Sequence, residues 1–191
     1  PGKTDTTVVF SAHFDHLGRM GAATYIPGAS DNASGTAMLF DLAKHYLENQ
    51  SHYTIQFIWF SGEEAGLLGS FNYVEKPMAD LDKIKFLLNL DLMADAKKGV
   101  TVVNGKIYPD QFAKLSSLNA EMGLLQQVKA RGEAANSDHY PFTEKDIPGF
   151  FIYTMGDYKH YHDIDDKPEN LPMTNYEQVF QLITEFVKYG F

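Results

Sequence analysis

Apolar residues arrive along the chain in two alternating textures. Short, nearly unbroken runs rich in β-branched and aromatic residues recur at Thr7–Ala12, Ile55–Phe60, Ile84–Leu90, Val100–Val103 and Gly149–Tyr153. None has the every-other-residue polarity of a strand with one wet face, so the pattern predicts strands buried on both sides. Between them the apolar positions recur every three or four residues: Leu39, Leu42, Ala43, Tyr46 and Leu47, then Leu67 to Val74, then roughly Gln111–Met122. A last stripe, Val179, Leu182, Ile183 and Phe186, follows Thr174 and Glu177 at capping-box spacing and predicts a helix running to about Tyr189. Buried strands alternating with helices predict an α/β fold of three layers, a mostly parallel central sheet with helices on both faces. No repeat, linker or low-complexity tract interrupts the 191 residues, which predicts a single domain over residues 1–191.

Composition narrows what such a domain could do. With 16 Lys+Arg against 25 Asp+Glu the formal net charge is −9, and no basic stripe is present to meet phosphates, which argues against nucleic acid as the main partner. The absence of cysteine excludes disulfides, thiol nucleophiles and cysteine-based zinc sites. No apolar run approaches the ~18–20 residues of a spanning helix. Gly28-x-Ser30-x-Asn32 misses the nucleophile-elbow pattern at its last position, and no glycine-rich phosphate loop occurs. Seven histidines and many carboxylates leave cation chemistry open.

The polar residues that follow the strands sharpen this. The first strand runs into His13-Phe14-Asp15-His16, with Asp31 in the loop before the next helix, and the second into Ser61-Gly62-Glu63-Glu64. The third meets Asp91, and the fifth leads to His160-Tyr161-His162-Asp163. Ligands of open α/β sheets bind outside the carboxyl ends of the strands, so these groups are expected on one rim. Gathered carboxylates and imidazoles need a cation to offset their repulsion. His13 and Asp15, two apart in extended chain, suit an imidazole ligand oriented by a carboxylate. Glu63 and Glu64 are adjacent and diverge, so that one can ligate while the other serves as general base.

His13-Phe14-Asp15-His16-Leu17-Gly18, Gly28-Ala29-Ser30-Asp31-Asn32-Ala33-Ser34-Gly35, Phe60-Ser61-Gly62-Glu63-Glu64-Ala65-Gly66-Leu67-Leu68-Gly69-Ser70, Asn89-Leu90-Asp91 and Tyr161-His162 together resemble the motifs of the co-catalytic di-zinc aminopeptidases. This is the bacterial leucyl-aminopeptidase type, with glutamate carboxypeptidase II and glutaminyl cyclase as relatives. The resemblance implies two zinc ions, with cobalt or manganese as substitutes, one on His13 and Asp91 and the other on Glu64 and His162. Asp31 would bridge them, with a cis bond to Asn32. Glu63 matches the general base, Asp15 the carboxylate behind His13, and Tyr161 the position of a hydroxyl near the developing oxyanion. Ser137-Asp138-His139-Tyr140-Pro141-Phe142 matches a segment lining the substrate pocket. The implied reaction is hydrolysis of the N-terminal residue from a peptide with a free amino end, by a metal-bridging water whose proton Glu63 takes. Two rivals share the fold: a glutaminyl-cyclase-like transferase with a single zinc, and a non-catalytic binding domain.

The resemblance carries further expectations. Relatives usually have an N-terminal helix and further strands before the first metal motif, so a portion corresponding to these is expected to be lacking, leaving an exposed sheet edge open to self-association. Bacterial members are mostly exported, which implies a secreted or periplasmic setting. Away from the motifs, His16, His45, His52, His139 and His160 have no assigned role. Asp163, Asp165 and Asp166 read as a solvated acidic loop, although one could tether His162, and the seven Met read as core filler.

Overall fold

The computed structural model describes residues 1–191. β1 (Thr7–His13) leads through a small hairpin, β2 (Arg19–Met20) and β3 (Thr24–Tyr25), to α1 (Gly35–Glu48). There follow β4 (Thr54–Phe60), α2 (Leu68–Glu75), β5 (Ile84–Asp91), β6 (Gly99–Val103) and α3 (Pro109–Met122). The chain closes with β7 (Val128–Ala130), the short α4 (Tyr140–Thr143), β8 (Gly149–Met155) and α5 (Tyr176–Tyr189). Six strands form one sheet in the order β4-β1-β5-β8-β6-β7. β4, β1, β5 and β8 run parallel, β6 lies antiparallel to β8, and β7 is parallel to β6.

The unbroken apolar runs are explained by cover on both faces. Val8, Phe10 and Ala12 of β1 face a core shared with Met38, Leu39 and Leu42 of α1, Leu115 of α3, and Leu182, Ile183 and Phe186 of α5. Val9, between them, faces Tyr73 and Val74 of α2 and Phe142 of α4 on the opposite side. Phe86, Phe150 and Phe186 form the aromatic centre of the larger core, with ring centroids 4.8–6.0 Å apart. A fully buried side chain of this size is worth about 1.5–3 kcal/mol, so these three alone form a substantial part of the sheet–helix adhesion.

Four local expectations are corrected. Thr174 and Glu177 form no capping box: Thr174 pairs with Asp95 in an isolated bridge, and Asn175 enters the helix with its side-chain amide on the Ala96 carbonyl. Leu47 does not join the buried stripe of α1 but is 88% exposed. Of the seven Met, Met38 and Met93 are buried, whereas Met20, Met78, Met122 and Met173 are exposed. β7 has no counterpart among the predicted strands, because three residues with a central lysine, Val128-Lys129-Ala130, give no readable run. At the far side of the sheet, β4 pairs only with β1 and is half-buried along most of its length.

Candidate metal centre

Because β1, β4, β5 and β8 are parallel, their carboxyl ends share one rim. His13 and Asp91 are the last residues of β1 and β5, Glu63 and Glu64 follow β4, and His162 lies in the loop after β8. The polar stretch after Val103 takes no part, since β6 runs antiparallel and ends at the other side. Asp31 reaches the rim on the loop before α1, which the Asn32 and Ser34 side chains tie to the end of β5. Asn32 bonds the Leu90 carbonyl (3.0 Å) and the Gly35 amide (2.9 Å), and the Ser34 hydroxyl accepts the Met93 amide (2.8 Å). Gly35 is required at this approach, since a Cβ there would run into Asn32 and the Leu90 carbonyl. The Asp31–Asn32 peptide bond is cis.

Asp31 directs one carboxylate oxygen to each of two donor sets. Its Oδ1 lies 3.3 Å from His13 Nε2, which is also 3.4 Å from Asp91 Oδ2. Its Oδ2 lies 3.0 Å from His162 Nε2, which is 3.2 Å from Glu64 Oε1. Glu63 shares the first set's neighbourhood, its carboxylate falling within 4.8 Å of the donors of His13 and Asp91. Asp91 Oδ1 and Glu64 Oε1 are buried without a hydrogen-bond partner. Orphaned carboxylate oxygens in a buried site are costly. Oxygen and imidazole donors converging around them fit a divalent cation on each side of Asp31, so the residues present match the group the sequence implies.

Supporting contacts fix these donors. Asp15 differs from expectation in how it acts: its backbone carbonyl, 3.1 Å from His13 Nδ1, orients the ring, while its carboxylate stands 3.8 Å away. The two carboxylate oxygens accept instead from the Glu63 and Glu64 amides, at 3.2 and 3.3 Å. Asp91 is backed by a buried relay in which Ser11 donates to Asn89 Oδ1 and the Asn89 amide donates to Ser137 Oγ, both 2.8 Å. Ser137 Oγ stands 3.5 Å from Asp91 Oδ2. Asp166, expected in a solvated loop, is wholly buried and accepts the Ser30 and Asp31 amides at 2.8 and 3.1 Å and the Tyr158 hydroxyl at 2.7 Å. A single acid among three in a polar loop carries no local mark of turning inward. Asp163 and Asp165 do remain in that loop, where Asp163 caps the Asp165 amide.

Burial pushes the Glu63 carboxyl up to about 8, with the charges of Asp91, Asp138 and Glu64 adding to the shift against the pull of His13. Burial works against protonation of His13, but Asp31 and Asp91 override it and push the imidazole up to about 12. In the absence of a cation the first set thus holds a proton where a positive charge is wanted. Burial also raises Asp138 to about 6, against the 2.6 Å bond from Ser70. Tyr161 is largely exposed, stacks on the His162 ring at 3.9 Å and lines the cleft above the donors with Arg131, Asn136, Phe151 and Tyr153. Partial desolvation on the cleft side and the charges of Asp31 and Glu64 push its phenol up to about 12.

Residues 1–187 match the sequence model of peptidase family M28. A probable leucine aminopeptidase of Trichophyton verrucosum is 34% identical over 163 residues, covering 80% of this chain and 43% of that protein. The solved structure of a zinc aminopeptidase from Bacillus subtilis is 26% identical and superposes with a TM-score of 0.79, over 96% of this chain and 46% of that one. A Bacteroides thetaiotaomicron glutaminyl cyclase, 19% identical, shares the fold with a TM-score of 0.82, over 96% of this chain and 73% of its own. The chain thus spans less than half the length of these two aminopeptidases.

Proposed function

For a chain that belongs to peptidase family M28, we propose a zinc-dependent aminopeptidase that hydrolyses N-terminal residues from peptides, with residues 1–191 as its catalytic unit. The observation that carries this reading is Asp31 presenting one oxygen to the His13–Asp91 set and the other to the His162–Glu64 set, with Glu63 beside them. Two zinc ions held there would supply Lewis-acid polarisation of the scissile carbonyl and a lowered pKa for the attacking water, and cobalt or manganese could stand in. Glu63 takes the water's proton and returns it to the leaving amine. Asp15 holds Glu63 and Glu64 at the correct spacing through their amides and the His13 ring through its carbonyl. The acids of the cleft accept the free α-ammonium of the substrate, and Tyr161 faces the carbonyl oxygen from the wall above His162.

The cleft over the donors encloses about 120 Å³, room for one residue's reacting end and a few waters but not for a folded segment. The test is hydrolysis of a panel of aminoacyl nitroanilides by the full chain with graded zinc. Activity is expected to need two equivalents, and Glu63→Gln is expected to lose about 10²–10⁴-fold in kcat at unchanged zinc content. Hydrolysis that saturates with one tightly held zinc, together with cyclisation of N-terminal glutamine, would favour the cyclase reading suggested by the shared fold. An absence of turnover in both assays, or an unaltered rate in Glu63→Gln, would refute the enzyme.

A further inference from the structure

His16 follows Asp15 in the first motif, and neither the ligand sets nor the proton transfer above uses it. Its Nδ1 lies 2.9 Å from Glu64 Oε1, the same oxygen that stands 3.2 Å from His162 Nε2. Donor atoms of His16, Asp31 and Glu64 all fall within 4.8 Å of one another. The His16 side chain is only 8% exposed, yet neither ring nitrogen has a hydrogen-bond partner, and neither does Glu64 Oε1. An imidazole buried against a carboxylate without a hydrogen bond between them leaves both groups unsatisfied, at about 1–3 kcal/mol each.

A shared cation would satisfy both. Two atoms each ~2.0–2.1 Å from a common centre and 2.9–3.2 Å apart subtend about 90–105° there, in the range of four- and five-coordinate zinc. The backbone is shaped to seat the ring at this spot. Gly28 holds φ +72°, and a Cβ on it would lie 2.6 Å from His16 Cγ and 2.8 Å from Cδ2. Any other residue at position 28 would displace the imidazole from Glu64. The His16 ring also meets the His162 ring edge-on, with centroids 5.6 Å apart, as two imidazoles around one centre would.

We infer that His16 is a fourth protein donor to the cation held by Asp31, Glu64 and His162. The inference rests on the proposed assignment of those three residues. It makes the two positions unequal: His13, Asp91 and Asp31 leave one open to water and substrate, whereas two histidines and two carboxylates enclose the other. Zinc sites with four protein donors are typically structural and those with three catalytic. The enclosed position is then the tighter one, filled first and emptied last, and the cation beside His13 and Glu63 is the exchangeable one.

The experiment is equilibrium competition for zinc between the full chain and a chromophoric chelator, with the metal-free and zinc-loaded melting temperatures measured in parallel. The wild type is expected to show one tight and one weaker equivalent. His16→Ala should weaken the tight one by roughly 10–100-fold and leave the other within about twofold, a loss on the scale of disturbed metal shells. Its metal-free melting temperature reads the packing lost with the buried ring, and the fall on that account should be the same in His16→Ala with and without zinc at the other position. His16→Asn, which keeps a hydrogen-bond donor near the place of Nδ1, should not restore the affinity. An unchanged tight equivalent in His16→Ala, or full recovery in His16→Asn, overturns the inference, the second outcome reducing His16 to a hydrogen-bonding prop for Glu64. His162→Ala separates the two levels: if it leaves the tight equivalent intact, the assignment of the second position falls first, and His16 with it.

Discussion

Replacing Asp166 tests whether the centre is held together from the loop that carries His162. Asp166 is fully buried 135 residues away from Asp31, and its two oxygens accept three hydrogen bonds, from the Ser30 and Asp31 amides and the Tyr158 hydroxyl. Asp166→Asn keeps the size of the side chain. Its carbonyl oxygen can serve the Ser30 amide and Tyr158, but its NH2 then faces the Asp31 amide, donor against donor. Hydrogen bonds to a charged group are worth about 1.5–3 kcal/mol and neutral ones about 0.5–1.5, so one lost and two weakened bonds amount to about 3–4 kcal/mol. At roughly 2–4 °C per kcal/mol for a chain of this size, the melting temperature should fall by about 10 °C. The measurement is thermal unfolding followed by circular dichroism with zinc present, so that relief of carboxylate repulsion in the metal-free form does not mask the loss. Zinc affinity should fall at both positions, since Asp31 serves both. A shift under 2 °C with an unchanged zinc titration would refute the reasoning, and would mean that Asn32 and Ser34 hold the loop by themselves.

Other perturbations separate the parts of the structure. Asn89→Leu leaves the Ser11 hydroxyl without its acceptor and Ser137 Oγ without its amide donor, and should cost about 2–4 kcal/mol in urea denaturation, with weaker zinc binding through the loss of support behind Asp91. Chelation of zinc should lower the melting temperature of the wild type, by about 2.7 kcal/mol of lost stabilisation relative to zinc at 100 times its Kd, as read from scans with and without chelator. His139 supplies a pH signature, because burial lowers its imidazole to about 4. It stays neutral in the folded chain but takes a proton below about 6.5 once unfolded. Its contribution is complete above pH 6.5 and is lost as pH falls from there toward 4, about 3 kcal/mol in all. Subtracting the His139→Phe stability profile from the wild-type profile should isolate that slope; parallel profiles between pH 4 and 6.5 would exclude it.

How far the sequence could be read follows from where each residue's partner lies. The strands were legible because cover on both faces leaves no polar position in the run, and His13, Glu63, Glu64 and Asp91 were legible because each stands where an apolar run stops. The parallel order then places them together, and the antiparallel β6 removes the one polar ending that has no role there. Asp166 and His16 were not legible. Nothing in Asp163-Ile164-Asp165-Asp166 distinguishes the acid that turns inward from those that stay in the loop, since its partners are the amides of Ser30 and Asp31. Thr174 shows the opposite error: a local capping signal was overridden by a backbone bridge to Asp95.

The acidic charge can be sorted in the same way. Asp31, Asp91, Asp95, Asp138 and Asp166 are the buried acids among the 25. Two have an internal answer to the cost of burial. Asp95 accepts the Asp157 and Tyr158 amides and Asp166 those of Ser30 and Asp31, whereas Asp138 accepts from Ser70 through one oxygen and leaves the other without a partner. The side chains of Asp31 and Asp91 have no comparable set of amide donors. Asp31 meets the imidazoles of His13 and His162 and Asp91 only that of His13, and Asp91 Oδ1 has no hydrogen-bond partner at all. An uncompensated buried charge costs several kcal/mol, more than a marginally stable domain can carry twice over without a counter-charge. The fold therefore calls for positive charge at the carboxyl ends of β1 and β5, and every histidine that meets this cluster does so through a nitrogen able to bind a metal.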